Sequence, residues 1–240
     1  MSDICITIDM DWACDDVLKY SIDYLERHNV KATFFVTHNT PLLERLRGNP
    51  LFELGVHPNF QYLLNGTSNF KNMSEVLESI MKIVPDAVSV RSHSLVQSSP
   101  ILDLFIENGL KYDVNLFIPW QSDMTIKPIK HWNGLIRYPY CWEDDVSAIT
   151  NGWFKSIDEF LRIKGLKIIN FHPIHLFLNT ERLERYNAAR EDVHNIDVLN
   201  SLRYMRSDIG AMSTLKMIVD NAFEKKINFR HVKEIRGAEK

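Results

Sequence analysis

The chain has 240 residues, 45% of them hydrophobic and 25% charged, a globular profile that excludes disordered and fibrous classes. A formal net charge of -3 argues against a nucleic-acid partner, and no window approaches the roughly 18 apolar residues of a membrane span. Cys5, Cys14 and Cys141 are too scattered for a disulfide framework and suit a reducing compartment. The apolar start stops at Asp9 without a basic n-region, so no secretory signal is read and a cytoplasmic location is expected.

In chain order, 4–8 reads as a strand. Residues 16–28 carry Val17, Leu18, Ile22 and Leu25 at helical spacing, with Asp15 and Asp16 as acids at the positive end of the helix dipole. "ATFFVT" (32–37) is a strand, 41–50 a short helix with Pro41 at its start and Gly48 near its end, and "FELGVH" (52–57) a strand. A helix over 73–84 is expected with Ser74 as N-cap. "AVSVRSH" (87–93) is a strand, 99–109 a helix, and 112–117 and 135–140 strands. A helix over 156–163, a strand over 166–172 and a closing helix over 212–226 follow. The stretch 180–208 is polar with weak periodicity and reads as an insertion or lid. Strands alternating with helices predict a parallel sheet, open or closed into a barrel. No linker or repeat interrupts residues 1–240, so one domain is expected.

In parallel α/β folds, function gathers at the C-terminal ends of the strands. Here those ends carry Asp9 and Asp11, His57, Arg91 and His93, Glu143 to Asp145, and His172 and His175. Residues two apart on a strand share a side, so Asp9 and Asp11 are expected to face one cavity. Two carboxylates there repel unless a cation lies between them. A divalent metal on Asp11 with histidines would satisfy one, and Arg91 the other. His28, His131, His194 and His231 read as structural or solvated.

The order of these motifs resembles the polysaccharide deacetylases of the NodB-homology type, carbohydrate esterase family four. "ITIDMD" followed by "VKATFFV" matches that family's first motif, and "IINFHPIH" its last. "ELGVHPNFQ" matches the second motif but lacks its second histidine, "RSHSL" replaces the usual prolines of the third, and "YPYCWEDD" has the Asp and Trp of the fourth in an unusual order. The resemblance implies a distorted (β/α) barrel of parallel strands with outer helices. It implies a hydrolase that removes N- or O-acyl groups from sugars with a divalent metal, zinc being expected. It makes Asp9 the catalytic base, Arg91 the group that holds it, Asp11 and His57 metal ligands, and His172 the catalytic acid.

The missing histidine leaves a place for His93, with His38 as runner-up; Asn59 is a poorer zinc ligand and is assigned to substrate contact. Asp145 is expected to orient His172. His175 is expected to contact substrate or metal and remains the alternative acid. Trp12, Phe60, Tyr140 and Trp142 could stack on a sugar ring or pack in the core. The expected substrate is a nucleotide- or lipid-linked amino sugar in surface-polysaccharide synthesis. The rival readings are a non-catalytic sugar-binding homologue and an amidohydrolase of a non-sugar substrate.

Overall fold

The protein is described from a computed structural model covering residues 2–206 and 208–235. The chain opens with β1 (Ser2–Asp9), α1 (Asp15–Arg27), β2 (Ala32–Val36), α2 (Leu42–Gly48) and β3 (Phe52–Val56). Then come α3 (Gln61–Leu64), α4 (Met73–Met81), β4 (Ser89–Val90), α5 (Ser99–Glu107) and β5 (Tyr112–Asp113). The second half has β6 (Ile129–Lys130), β7 (Ile136–Arg137), β8 (Trp142–Glu143), α6 (Asp144–Thr150), α7 (Ile157–Leu161) and β9 (Lys167–Phe171). It ends with α8 (Pro173–Leu178), α9 (Leu183–Ala189), α10 (Ile196–Leu202), α11 (Ala211–Asp220) and β10 (Ile227–Phe229).

The strands lie in the order β6-β7-β5-β4-β3-β2-β1-β9-β8, with β10 also paired to β1. All these pairs are parallel except β6 with β7. Beyond β5 the chain bridges Tyr140 through Phe117, and the Cys141 N–H donates to Ile168 of β9. These links draw the two flanks together, so the sheet curls into a distorted (β/α) barrel. No helix among the described residues is long and apolar enough to cross a membrane.

The period of two along each strand sorts side chains between helices and barrel interior. Ile4, Ile6 and Ile8 pack outward with Leu18 and Ile22 of α1. Cys5 faces inward and packs with Phe35, Tyr138, Ile168 and Val232 in an apolar plug. Above it lies a polar layer of Thr7, Arg91 and Asn170 in direct contact. Asp9 stands one step further along β1. The interior therefore grades from apolar floor to charged rim, and that grading builds the site.

Several expected strands are shorter than read. Of 87–93 only Ser89–Val90 pairs, because His93 begins a single 3-10 turn. Of 112–117 and 135–140 only two residues each form strand. The N-cap of α4 is Asn72, whose side chain accepts from the Glu75 N–H, and not Ser74. The stretch 180–208 holds two short helices, α9 and α10, which pack on α8.

Candidate active site

Arg91 is fully buried and forms the centre of the polar layer. Its Nη1 donates to Asp9 Oδ1 at 2.9 Å, to Thr7 Oγ1 at 3.0 Å and to the Asn170 side-chain carbonyl, and its Nε donates to the Val114 carbonyl. The guanidinium lies between the rings of Tyr140 (4.4 Å) and Phe35 (4.8 Å). A buried guanidinium without a partner is costly, and the Asp9 carboxylate supplies that partner. The second Asp9 oxygen accepts from Asn170 Nδ2 at 3.0 Å. Asp9 is thus held at both oxygens.

Asp11 lines the cavity, whereas Asp9 lies buried behind it, and Asp11 arrives by another route than the one expected. Strand β1 ends at Asp9, and Asp11 and Trp12 adopt left-handed backbone with φ of 41° and 55°. Such conformations in non-glycine residues are strained and persist only where surrounding contacts fix them. Here the Trp12 N–H donates to Thr37 Oγ1 and the Ala13 N–H to the Met10 carbonyl. The turn aims the Asp11 carboxylate between two imidazoles. His57 Nε2 and His93 Nδ1 each lie 3.2 Å from Asp11 Oδ1. Burial pushes the Asp11 carboxyl up, but hydrogen bonds from His57 and His93 and the charge of His57 and His172 outweigh it and hold the group well below the usual carboxylate range.

One carboxylate and two imidazole nitrogens within 4.8 Å of one another match the donor set of a three-ligand catalytic zinc site. The buried His57 Nδ1 has no hydrogen-bond partner among the described residues and lies 3.8 Å from Asp9 Oδ1. His38 stands outside every such group among the described residues; its Nδ1 meets Thr37 Oγ1 at 2.8 Å. Asn59 turns away, its side-chain oxygen accepting from the Gln61 N–H.

Beside Asp11, His172 follows β9. Its Nδ1 lies 2.7 Å from Asp144 Oδ1, and its own N–H donates to Asp144 Oδ2 at 2.8 Å. Asp144, not Asp145, therefore holds the imidazole. Strand β8 ends at Glu143 and α6 begins at Asp144, so Asp144 turns into the interior while Asp145 lines the cavity and caps Val146. Burial pulls the His172 pKa down, but the charge and hydrogen bond of Asp144, with Asp11 and Asp145, raise it well above the ordinary imidazole value. Its free Nε2 points to Asp11 Oδ2 (3.6 Å), Glu143 Oε1 (3.9 Å) and Asp9 Oδ2 (4.0 Å).

Glu143 was not assigned a role from the sequence. It accepts from Tyr140 Oη and Asn170 Nδ2, and burial together with the Asp145 charge pushes its carboxyl up to about 7. Asn170 was also missed. A signal existed, since an amide inside the run "IINF" is a polar residue in a buried strand and needs a partner. The expected stacking rings are not available: Tyr140 is buried against Arg91, and Trp142 is buried among Trp153, Phe154 and Phe171. Phe60 is likewise fully buried, near Phe105, whereas Trp12 is 38% exposed and meets the His93 ring edge-on.

Asp11, Trp12, Asp145, His172 and His175 line a cavity of about 390 Å³ from the barrel side. His175 is buried, with Nδ1 3.0 Å from Thr180 Oγ1 and its ring 4.9 Å from Tyr186. Leu183, Tyr186, Arg190, Val193 and His194 cover the cavity from the segment 180–208. His194, read as structural or solvated, thus sits on the cavity wall, whereas His28, His131 and His231 bond to neighbouring groups outside it.

Residues 6–190 match the family model of the WbmS-like polysaccharide deacetylases. A crystal structure from Bordetella bronchiseptica, of a protein described as a polysaccharide deacetylase involved in O-antigen biosynthesis, is 43% identical, covers 91% of this chain and 90% of its own, and superposes with a TM-score of 0.86. The Xyl-CE4 domain of a multidomain xylanase from the hindgut metagenome of Trinervitermes trinervoides is 16% identical over 97% of this chain and 88% of its own, with a TM-score of 0.50, a likeness of fold. No curated protein matches. A model match over most of the chain and a relative at 43% identity lead to one conclusion: the chain belongs to the WbmS-like family of polysaccharide deacetylases.

Proposed function

We propose that the protein is a metal-dependent hydrolase that removes an N-acyl group, acetyl or formyl, from an amino sugar carried on a nucleotide or lipid, in O-antigen-type surface-polysaccharide synthesis in the cytoplasm. The observation that carries the reading is the juxtaposition of two differently held groups. Asp9, clamped by Arg91 and Asn170, lies 4.0 Å from the Nε2 of His172, which Asp144 holds, beside the cluster of Asp11, His57 and His93. The relative from Bordetella bronchiseptica, described as involved in O-antigen biosynthesis, supports the substrate class. Three unpaired cysteines agree with a reducing compartment.

A divalent metal on Asp11, His57 and His93, expected to be zinc, would supply a water of lowered pKa and polarise the acyl carbonyl. Asp9 takes the proton of that water, its position fixed by Arg91 Nη1 and Asn170 Nδ2. His172 enters as the imidazolium. Its Nδ1–H is committed to Asp144, which leaves the Nε2 proton for the amine nitrogen. The water oxygen joins the acyl carbon, the C–N bond breaks, and the nitrogen departs with the proton from His172. Products are the free amino sugar and acetate or formate.

The deciding experiment measures acetate and formate release by the metal-loaded protein. Its panel is acetylated and formylated amino sugars, free and nucleotide-linked, beside small amides. Release confined to the sugars is expected. Release from small amides alone would make the protein a non-sugar amidohydrolase. Sugar binding without release, in a protein that keeps no metal, would make it a sugar-binding homologue.

A further inference from the structure

The cavity carries opposite charge on its two walls. The barrel wall has Asp11 and Asp145, with Asp9 and Glu143 behind His172. The opposite wall comes from α9 and the residues after it and has no carboxylate among its described lining residues; its polar groups are Tyr186, Arg190 and His194. Arg190 is exposed, lines the cavity, and makes no ion pair among the described residues. Its neighbours on the chain differ: Arg185 is paired to Glu181, and Arg182 approaches the same carboxylate. An unpaired guanidinium on the outer wall of this cavity is a planar fork of donors suited to a carboxylate or phosphate. An anionic group held by that exposed wall leaves the rest of the substrate to extend inward toward His172.

We propose that Arg190, assisted by His194, reads an anionic group on the substrate, so that the amino sugar acted on carries a phosphate or a carboxylate beside its acylated nitrogen. The inference rests on the proposed deacylation of an amino sugar. The anion sits against Arg190 at the outer wall, and the acyl group lies between Trp12 and His172. Arg190 acts in binding and orientation and takes no part in bond making.

The test uses the full chain with four probes: N-acetylglucosamine, its 1-phosphate, UDP-N-acetylglucosamine and N-acetylglucosaminuronic acid. Binding is followed by calorimetry at low and high salt, and acetate release is measured in parallel. The anionic probes are expected to bind about tenfold or more tightly than the neutral sugar, as a charge-assisted contact predicts, and less so in high salt. Arg190→Ala should remove that advantage by raising KM with kcat little changed, Arg190→Lys should keep part of it, and neutral-sugar binding should stay as it was. Preference for the phosphates places the anion on the linkage; preference for the uronate places it on the ring; either supports the proposal. Equal binding of neutral and anionic probes, or an anionic advantage that survives Arg190→Ala, overturns it while leaving the deacylase reading intact. Anion-dependent binding with no acetate or formate release from any amino sugar, the formylated ones included, would instead overturn the deacylase reading. No binding by any of the four probes overturns the proposal for Arg190.

Discussion

At the scale of single residues, the site works through division of labour between Asp9 and Asp11. Asp9 is nearly buried and held by Arg91 and Asn170, whereas Asp11 is turned by its left-handed backbone onto His57 and His93. Asp9→Asn keeps the shape but offers an amide that cannot accept the proton, so turnover should fall by about 10²–10⁴-fold with metal content unchanged. Near-normal turnover would remove Asp9 from the role of base. His93→Ala should lose metal by elemental analysis while His38→Ala retains it, and the reverse result would exchange the two. Asp144→Asn separates the orienting acid from its neighbour. Its charge and hydrogen bond keep the His172 pKa raised, so His172 stays protonated up to a pH above the ordinary imidazole value. Without that charge the folded pKa falls, and the alkaline limb of the pH–rate profile should move to lower pH. The same sign governs stability: the gain from His172 is present below its unfolded pKa and fades as pH rises through the folded value. An unmoved limb in Asp144→Asn, with a moved one in Asp145→Asn, would restore Asp145 to the role first read for it.

At the scale of elements, the alternation along the strands made much of the site legible. Cys5, Thr7 and Asp9 on β1, Ile168 and Asn170 on β9 with His172 after it, and Glu53 and Gly55 on β3 with His57 after it all obey one period of two. That rule places Asp9, His57 and His172 at one rim from sequence alone. It fails where the chain leaves the strand. Asp11 and His93 arrive by turns whose left-handed residues are Asp11, Trp12, Ser94 and Leu95, and nothing in residue type announces that geometry. The choice between Asp144 and Asp145 depends on where β8 gives way to α6, a boundary one residue wide. The cavity's outer wall reads from sequence as an insertion or lid with no elements of its own, because its two helices are only seven residues each. Gly55 shows how tightly the inner layer fits. A Cβ there would lie 2.7 Å from the Ser89 carbonyl oxygen and 2.8 Å from the Phe35 ring, both fixed by the sheet. Gly55→Ala should therefore force β3 from β4 and cost about 1–3 kcal/mol in chemical denaturation. Because Phe35 also flanks Arg91, activity should drop as well. A fully stable Gly55→Ala would mean that the layer can yield.

At the scale of the whole molecule, the proposed metal ligands come from three separate strand ends, and a bound ion ties them together. An ion present at a hundredfold its dissociation constant adds about 2.7 kcal/mol to folding stability. Chelation should accordingly lower the melting temperature by roughly 5–10 °C, and added zinc should restore it. A melting temperature indifferent to both treatments would argue against any ion held by Asp11, His57 and His93.

The pairing of β1 with β9 has a further consequence, for how the chain is made. Ile4 to Ile8 pair with Lys167 to Phe171, so one edge of the first strand waits for a partner more than half the chain away. On the ribosome that edge, rich in isoleucine, emerges long before β9 does, and an open apolar edge is a template for pairing with the wrong chain. Arg91 is likewise synthesised well before Asn170, one of the acceptors of its Nη1. The nascent protein therefore carries an unfinished barrel through most of translation. Slow elongation or a stop before residue 167 should yield aggregates rather than a folded fragment, and abundance in the cell should depend on chaperones that shield the first strand.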